Sequence, residues 1–226
     1  MFWPDSPRDC VQISGPDATT FLHSQMSQDI VALAVGDNAW SFLLQPNGRV
    51  DVLTLVHHVA ADSFVIHTDV GYVDALTARL NRFKIRVSAE LALVQQPPPG
   101  GIAGASTAEL EDARIAACWP AMGAEIVPGE TIPAETGILD VTVSFTKGCY
   151  PGQELVERMD SRAAQAPRHL IVVGRRPGDV VGGDLKLVAG GTGTAASDAV
   201  VGTITSVGTT QVLALVRRGV EAFDRG

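Results

Sequence analysis

The sequence has few cysteines and no long hydrophobic run, and each of these absences excludes a class of protein. Its three cysteines, Cys10, Cys118 and Cys149, are too few and too widely spaced for a disulfide framework or a zinc motif. The longest apolar stretches, such as residues 30–35, are far shorter than the ~20 residues that a membrane helix needs. The first residues also lack the basic start and the apolar core of a signal peptide. These absences predict a soluble cytoplasmic protein with reduced thiols.

An excess of positive charge is missing as well. The chain has 17 Lys and Arg against 25 Asp and Glu, which gives a formal net charge of −8. Duplex DNA and anionic membranes both require a basic surface, so the charge balance argues against either partner. What the chain does have is apolar content: 226 residues, 46% of them hydrophobic, can form one large domain or two small ones.

The N-terminal part of the chain shows the patterns of an antiparallel sheet with two helices. Asn47-Gly48 between two apolar runs is a strong hairpin signal. Pro16 and Asp17 are typical of a helix start, because proline suits the first helical position and aspartate complements the positive helix end. The predicted strands lie at residues 9–14, 39–45, 49–58, 63–68 and 86–94, and the predicted helices start at residue 15 and cover 71–83. This order predicts an α+β layer with the helices on one face of the sheet.

The composition of the sequence changes at two points in the second half of the chain. Three prolines and two glycines at residues 97–101 predict a linker, with a possible sub-boundary near 95–104. Next we expect a helix at 105–117, a loop at 131–139 and a helix at 152–160 with Pro151 in its first position. From residue 168, short β-rich runs alternate with Gly, Pro and Asp, including a Gly-rich turn at 190–193. We therefore predict an α+β region at residues 1–164 and a small C-terminal β-barrel domain at 165–226.

Residues 146–154, with the sequence T-K-G-C-Y-P-G-Q-E, carry the most chemical information. Cys149 is predicted to lie just before a helix N-terminus and near Lys147, and both features favour the reactive thiolate. The alternative is a turn in which Cys149 is a small buried filler, as free cysteines usually are. In that structural interpretation, Lys147 and Tyr150 position the loop, while the side chains of residues 153 and 154 satisfy amides at the helix start.

The motif K-G-C-Y-x-G-Q-E resembles the signature of the YgfZ-type folate-binding proteins, which are relatives of the glycine-cleavage T-protein (aminomethyltransferase). It is formed here by Lys147, Gly148, Cys149, Tyr150, Gly152, Gln153 and Glu154. Further stretches that resemble the family are residues 14–18, 21–22, 28–29, 114–123, 131–133, 135, 137 and 202–206. The resemblance implies a folate-binding scaffold around a central opening, with the cysteine motif close to it.

The resemblance also implies a ligand and a role. The ligand is tetrahydrofolate or a derivative, and the mitochondrial counterparts of the family act in late iron–sulfur cluster assembly. We therefore expect an accessory protein that supplies or repairs iron–sulfur enzymes, including a tRNA-modifying one. Iron–sulfur enzymes or assembly proteins would be its partners, and Cys149 its functional thiol.

Two residues outside the motif are candidates for folate contacts by the same resemblance. Arg114 keeps the arginine of a T-protein Arg-Leu-Glu-Ala-Gly stretch and is the candidate for the glutamate tail, unless it is a surface arginine paired with Glu111 or Asp112. The Asp-Asp pair of T-proteins aligns with positions 52 and 53, one residue beyond Asp51. By strand alternation Asp51 shares a face with Leu53, so the acidic pair is out of register, which argues against aminomethyl transfer.

Other functions stay open. A true tetrahydrofolate-dependent aminomethyltransferase or demethylase would need Asp51 to be shifted into place by a bulge. The second alternative is an interaction module that has lost folate, because the segment that forms the middle of T-proteins is much shorter in this sequence. The histidines at positions 57, 58 and 67 match no zinc spacing, so we predict no metal site.

Overall fold

The fold is built on two antiparallel sheets in the structure, a computed structural model that describes residues 2–161, 166–188, 196–220 and 223–225. The first sheet contains β1 (Arg8–Ser14), β2 (Asn38–Leu44), β3 (Val50–Ala60), β4 (Ser63–Thr68) and β5 (Glu90–Gln96). The helices are α1 (Ala18–Gln25), α2 (Val73–Phe83), α3 (Thr107–Ala116), α4 (Leu139–Thr142) and α5 (Gln153–Ser161), with a 3₁₀ turn at Pro133–Glu135. The second sheet contains β6 (Arg168–Gly174), β7 (Asp184–Val188), β8 (Ala196–Val207), β9 (Gln211–Arg217) and β10 (Phe223–Arg225).

The first sheet confirms the predicted α+β layer. Its strand order is β2-β3-β4-β1-β5, and every neighbouring pair is antiparallel. The Asn47-Gly48 turn joins β2 to β3, as its sequence predicts. The last strand begins at Glu90 rather than at residue 86, because Arg86 adopts a left-handed conformation with a φ of 56° and turns the chain first.

Both faces of the first sheet are covered. Helices α1 and α2 pack on one face, where Leu22, Leu76 and Leu80 are fully buried. The prediction of helices on one face is correct. The other face is also buried, under residues 122–156, which we call the middle segment. The second core contains Phe42, Leu44, Val50, Leu53, Met122, Ile126, Ile138, Val143, Tyr150 and Val156. Each large apolar side chain buried in this way contributes about 1.5–3 kcal/mol, so the middle segment is held firmly on the sheet.

The C-terminal strands form a second sheet with its own apolar core. The strand order is β10-β7-β8-β9-β6, and Leu185, Ile204, Val212 and Val216 are buried in it. The predicted barrel is thus an antiparallel five-stranded sheet, and a closed barrel is not shown. The domain boundary at 164/165 and the Gly-rich turn at 190–193 lie outside the described residues. No helix in the described part of the chain is long and apolar enough to cross a membrane.

Candidate functional site

A β-bulge places Asp51 where strict alternation does not. Leu43 pairs with Val52 and Leu44 pairs with Val50, so Asp51 is the extra residue on β3. A bulge puts two consecutive residues opposite one and re-aims a side chain. Leu53 packs under the middle segment, whereas the Asp51 carboxylate faces Arg79 of α2. The prediction that Asp51 and Leu53 share a face is therefore wrong, because an extra residue resets the alternation.

Asp51 lines a cleft between the tip of the β2–β3 hairpin and helix α2. Its Oδ1 accepts a hydrogen bond from Gln45 Nε2 at 3.3 Å, and its Oδ2 lies 3.5 Å from Arg79 Nε. The cleft has a volume of ≈ 290 Å³ and is lined by Gln45, Pro46, Asp51, Arg79, Arg82 and Phe83. We call this cleft the hairpin cleft. It combines one carboxylate, one amide, two guanidinium groups and one aromatic ring.

Arg79 is a buried cation that shapes the floor of the hairpin cleft. Its side chain is only 7% exposed; its Nη1 donates to Gln25 Oε1 at 3.1 Å and its Nη2 to the Leu44 carbonyl at 3.2 Å. The guanidinium carbon lies 3.8 Å from the ring centroid of Phe83, within the range of a cation–π contact. Burial lowers the pKa of Arg79, Asp51 opposes that change, and Arg82 adds to it. Sequence reasoning missed Arg79; the available signal was a charge directly beside Leu80 on the buried stripe of α2.

Lys147 ties the cysteine motif to the end of α1. Its ammonium donates to the carbonyl of Met26 at 2.6 Å and to the carbonyl of His23. Orphan carbonyls at a helix C-terminus favour a nearby cation. Burial lowers the pKa of Lys147 to about 8, although Asp29 opposes that shift. The described contacts therefore give Lys147 the positioning role that the structural interpretation assigns to it.

Tyr150 and Gly152 attach the same motif to the hairpin. Tyr150 is buried in the second core, and burial raises its pKa to about 12. Gly152 has a φ of 83°, and a Cβ there would lie 2.5 Å from the Gln45 carbonyl oxygen and 2.9 Å from Gly48 Cα. The helix consequently begins at Gln153 instead of at Pro151, because a left-handed residue separates the two. The motif is thus in van der Waals contact with the residue that donates to Asp51.

Cys149 is exposed at the tip of this anchored loop. Of the three cysteines, Cys10 is buried, Cys118 is half-buried and Cys149 is exposed, so the buried-filler alternative is wrong. Gln153 steadies the loop because its Oε1 accepts the Tyr150 N–H at 3.0 Å while its Nε2 lies 3.7 Å from Cys149 Sγ. Glu154 is exposed and pairs with Arg158 rather than satisfying a helix-start amide. The motif therefore presents one thiol to solvent on a fixed backbone.

Arg114 lies elsewhere, in a buried network that joins α3 to the second sheet. Its Nε and Nη2 donate to Glu111 at 2.8 and 2.5 Å, and its Nη1 donates to the Trp119 carbonyl at 2.7 Å. Nη1 also donates to Glu125 at 2.9 Å, and Nη2 to Ser206 Oγ at 2.6 Å. A guanidinium has five N–H donors, and these contacts use them all. The expectation that Arg114 holds a glutamate tail needs a free donor, and this geometry leaves none.

His58 and His67 are buried in the protein interior. His58 stacks on Phe64 with ring centroids 4.3 Å apart, and its Nδ1 lies 2.8 Å from the Leu33 carbonyl oxygen. His67 on β4 is fully buried, and neither of its ring nitrogens has a hydrogen-bond partner within the described residues. The described part of the chain contains no group of three or more side chains that could hold a metal ion.

The buried His67 predicts a loss of stability in mild acid. Burial, with smaller effects of Arg8 and His57, lowers the pKa of His67 from 6.5 to about 4. The unfolded state therefore binds the extra proton first, and stability present above pH 6.5 is lost as the pH falls toward 4, by an amount on the order of 3 kcal/mol. Urea unfolding of the wild type and of His67→Leu between these pH values measures the difference. Equal pH slopes for the two proteins would contradict the prediction.

Comparisons with known proteins identify a fold that matches this geometry. A crystal structure of the glycine cleavage system aminomethyltransferase T from Bartonella henselae superposes with a TM-score of 0.75 and 14% identity, covering 92% of this chain and 76% of that one. The chain has the aminomethyltransferase T fold. The β2–β3 hairpin and helix α2, which line the hairpin cleft, therefore belong to a T-protein fold.

Sequence comparison supports the same T-protein superfamily. Aminomethyltransferases of Bordetella bronchiseptica and Bordetella pertussis are 27% identical in an alignment of 176 residues that covers 74% of this chain and 45% of theirs. An uncharacterised protein of Haemophilus influenzae is 23% identical in an alignment of 187 residues that covers 68% of this chain and 66% of its own. No family model matches the sequence. The chain thus spans less than half the length of the aminomethyltransferases that it matches.

Proposed function

We propose that this protein binds a reduced folate in the hairpin cleft. The observation that carries the proposal is the bulge that turns Asp51 into the cleft beside Gln45. The edge of a pterin ring presents several N–H donors, and a carboxylate with a neighbouring amide matches them. Phe83 offers an aromatic face, and the T-protein fold and the aminomethyltransferase matches support a folate-type ligand. Tetrahydrofolate would supply one-carbon carrier chemistry when bound.

The Asp51→Asn variant tests this assignment. The substitution keeps the shape of the side chain but removes the charge that accepts the pterin donors, and hydrogen bonds to charged groups contribute about 1.5–3 kcal/mol. We expect the affinity for tetrahydrofolate to fall about 10- to 100-fold in anaerobic calorimetric titration. Asp62→Asn, in the exposed turn before β4, is the matched control and should leave the affinity unchanged.

Unchanged affinity in Asp51→Asn would place the folate elsewhere. Failure of the wild type to bind near-millimolar tetrahydrofolate would favour the remaining alternative, an interaction module that has lost folate. The proposal itself predicts one-to-one saturation of the wild type.

For the biological role, we propose an accessory protein for iron–sulfur enzymes, including a tRNA-modifying one, as in the YgfZ branch. The support is the motif itself, which exposes Cys149 and in which Gly152 closely approaches the hairpin that forms the cleft. Lys147, Tyr150 and Gly152 hold the loop, so the thiol is available for a partner protein. The cytoplasm would be the compartment in which a reduced thiol is maintained.

Replacement of Cys149 with alanine should lower the activity of iron–sulfur enzymes in cells that depend on this protein, while folate affinity of the purified variant stays at the wild-type value. The unchanged affinity is the control, because it shows that the fold and the cleft persist. Full cluster-enzyme activity in cells carrying Cys149→Ala would reject the accessory role of the thiol.

A one-carbon transferase is the second candidate function, and the bulge favours it. Asp51 does reach the cleft, as this alternative requires. Its carboxylate already faces Arg79 and Gln45, however, and the described lining residues of the cleft include no second carboxylate. Formation of methylenetetrahydrofolate from an aminomethyl donor, abolished in Asp51→Asn, would establish the transferase; its absence in a folate-binding wild type would reject it.

A further inference from the structure

Strand β5 forms one edge of the first sheet. It pairs with β1 on one side, and no strand in the described part of the chain pairs with its other side. About half of the N–H and C=O groups of an edge strand face outward, where they can pair with another strand. The opposite edge, strand β2, is partly covered. Met26 forms a β-bridge with Leu43, and the Ser27 N–H donates to the Phe42 carbonyl at 3.0 Å.

Strand β5 also lacks the features that usually keep an edge strand from pairing. Its seven residues, with the sequence E-L-A-L-V-Q-Q, include no lysine and no proline, and its pairing with β1 has no bulge. Its one charged residue, Glu90, stands at its start. Leu93 is 60% exposed, although Val11, its neighbour on β1, is fully buried. A long, regular and apolar edge of this kind favours pairing with another chain.

The sequence of β5 fits a second copy of itself in antiparallel orientation. In the register centred on Leu93 every residue of the strand is paired, and the pairs are Leu93 with Leu93, Ala92 with Val94, Leu91 with Gln95 and Glu90 with Gln96. No like charges are opposed, because Glu90 meets an uncharged amide. Leu91 and Leu93 share a face, so the leucines of both copies form one apolar strip on the helix side of the sheet. Pro97 follows directly and has no N–H, so the pairing ends at Gln96.

We propose that two copies of this chain associate through antiparallel pairing of their β5 strands, with a two-fold axis at Leu93, so that the two first sheets become one continuous sheet. Such an interface uses the same surface on both copies and closes as a dimer. Helix α2 packs on β1 and β4. The β1 strands of the two copies would lie three strand spacings apart, about 14 Å. A helix is about 10–12 Å in diameter, so the two α2 helices leave room for the joined strands. The hairpin cleft is formed by β2, β3 and α2, so the pairing does not depend on folate binding.

Sedimentation equilibrium of the full chain over a wide range of protein concentrations tests the pairing. The wild type should form a dimer that dissociates on dilution. Leu93→Lys places like charges opposite each other and removes an apolar contact from each copy, so the dissociation constant of the dimer should rise about 10- to 100-fold. Val181→Lys is the matched control, because this valine is 66% exposed in the turn between β6 and β7. It should leave the dissociation constant unchanged, and circular dichroism shows whether each variant is folded.

Charge complementation separates the pairing from a folding defect. Leu93→Glu should also weaken self-association, because two carboxylates would then be opposed. In an equimolar mixture of Leu93→Lys and Leu93→Glu at low salt, opposite charges face each other across the two-fold axis. The two variants should therefore form heterodimers more tightly than either forms homodimers. A wild type that is monomeric at every concentration would overturn the proposal. So would a Leu93→Lys dimer as tight as the wild type, or a mixture that associates no more tightly than its components.

Discussion

Replacing Arg114 with methionine is expected to lower the free energy of unfolding by about 3–5 kcal/mol. The expected loss of stability is large because Glu125, the buried partner of Arg114, would remain without a counter-ion. Glu125 has a side chain only 1% exposed, and it forms its ion pair with Arg114 at 2.9 Å. Removing one member of a buried pair leaves an uncompensated charge, which costs far more than the pair itself contributes. Ser206 Oγ, which donates to Glu125 and accepts from Arg114, also loses one contact.

An exposed arginine on another helix is the matched control for Arg114. Arg158 pairs with Glu154 at 2.9 Å, but the two side chains are 50% and 89% exposed. Arg158→Met should therefore change stability by only about 0.3–0.5 kcal/mol. Urea unfolding of both variants at neutral pH gives the comparison. A loss below about 1 kcal/mol in Arg114→Met would contradict the buried-network account.

Gly152→Ala is expected to have the second large effect, a loss of about 2–5 kcal/mol in the free energy of unfolding. The residue has a φ of 83°, where an L side chain is strained, and the added methyl would meet the Gln45 carbonyl at 2.5 Å. The hairpin tip and the start of α5 would have to separate. Because Gln45 donates to Asp51, folate affinity should fall together with stability.

Gly148, in the same motif, is the control for Gly152. A Cβ at Gly148 meets nothing within 4 Å, and its φ lies outside the left-handed region. We expect Gly148→Ala to be within about 0.5 kcal/mol of the wild type. If both alanine variants unfold at the wild-type urea concentration, the close approach of the motif to the hairpin is not important for stability.

The backbone pattern of the first sheet could be predicted from the sequence because period-two and helical spacing are local signals. The β4 strand and the Asn47-Gly48 turn lie where the pattern predicts them. The bulge at Asp51 could not be predicted in this way, since Val52 and Leu53 are buried on opposite faces of the sheet and the apolar pattern therefore hides the reset of the alternation. That single residue decides which face receives the carboxylate, and so it decides the site.

The roles of the arginines depended on contacts between distant parts of the chain. The sequence alone allows Arg114 to be a surface residue on α3. In the structure, one of its hydrogen-bond partners is Ser206, which is 92 residues away along the chain. Arg79 likewise receives Gln25 from 54 residues away. The cysteine motif was partly predictable, because the left-handed turn at Gly152 is a local requirement, but Lys147 binds carbonyls that lie 121 and 124 residues away in the chain. The exposure of Cys149 could not be predicted from the sequence, because it depends on how α5 and the hairpin pack together.

A crystal structure of the protein with tetrahydrofolate bound tests the central claim most directly. The account predicts the pterin in the hairpin cleft, within hydrogen-bond distance of the Asp51 carboxylate and Gln45. Density for the folate at a site that touches neither Asp51 nor Gln45 would contradict it.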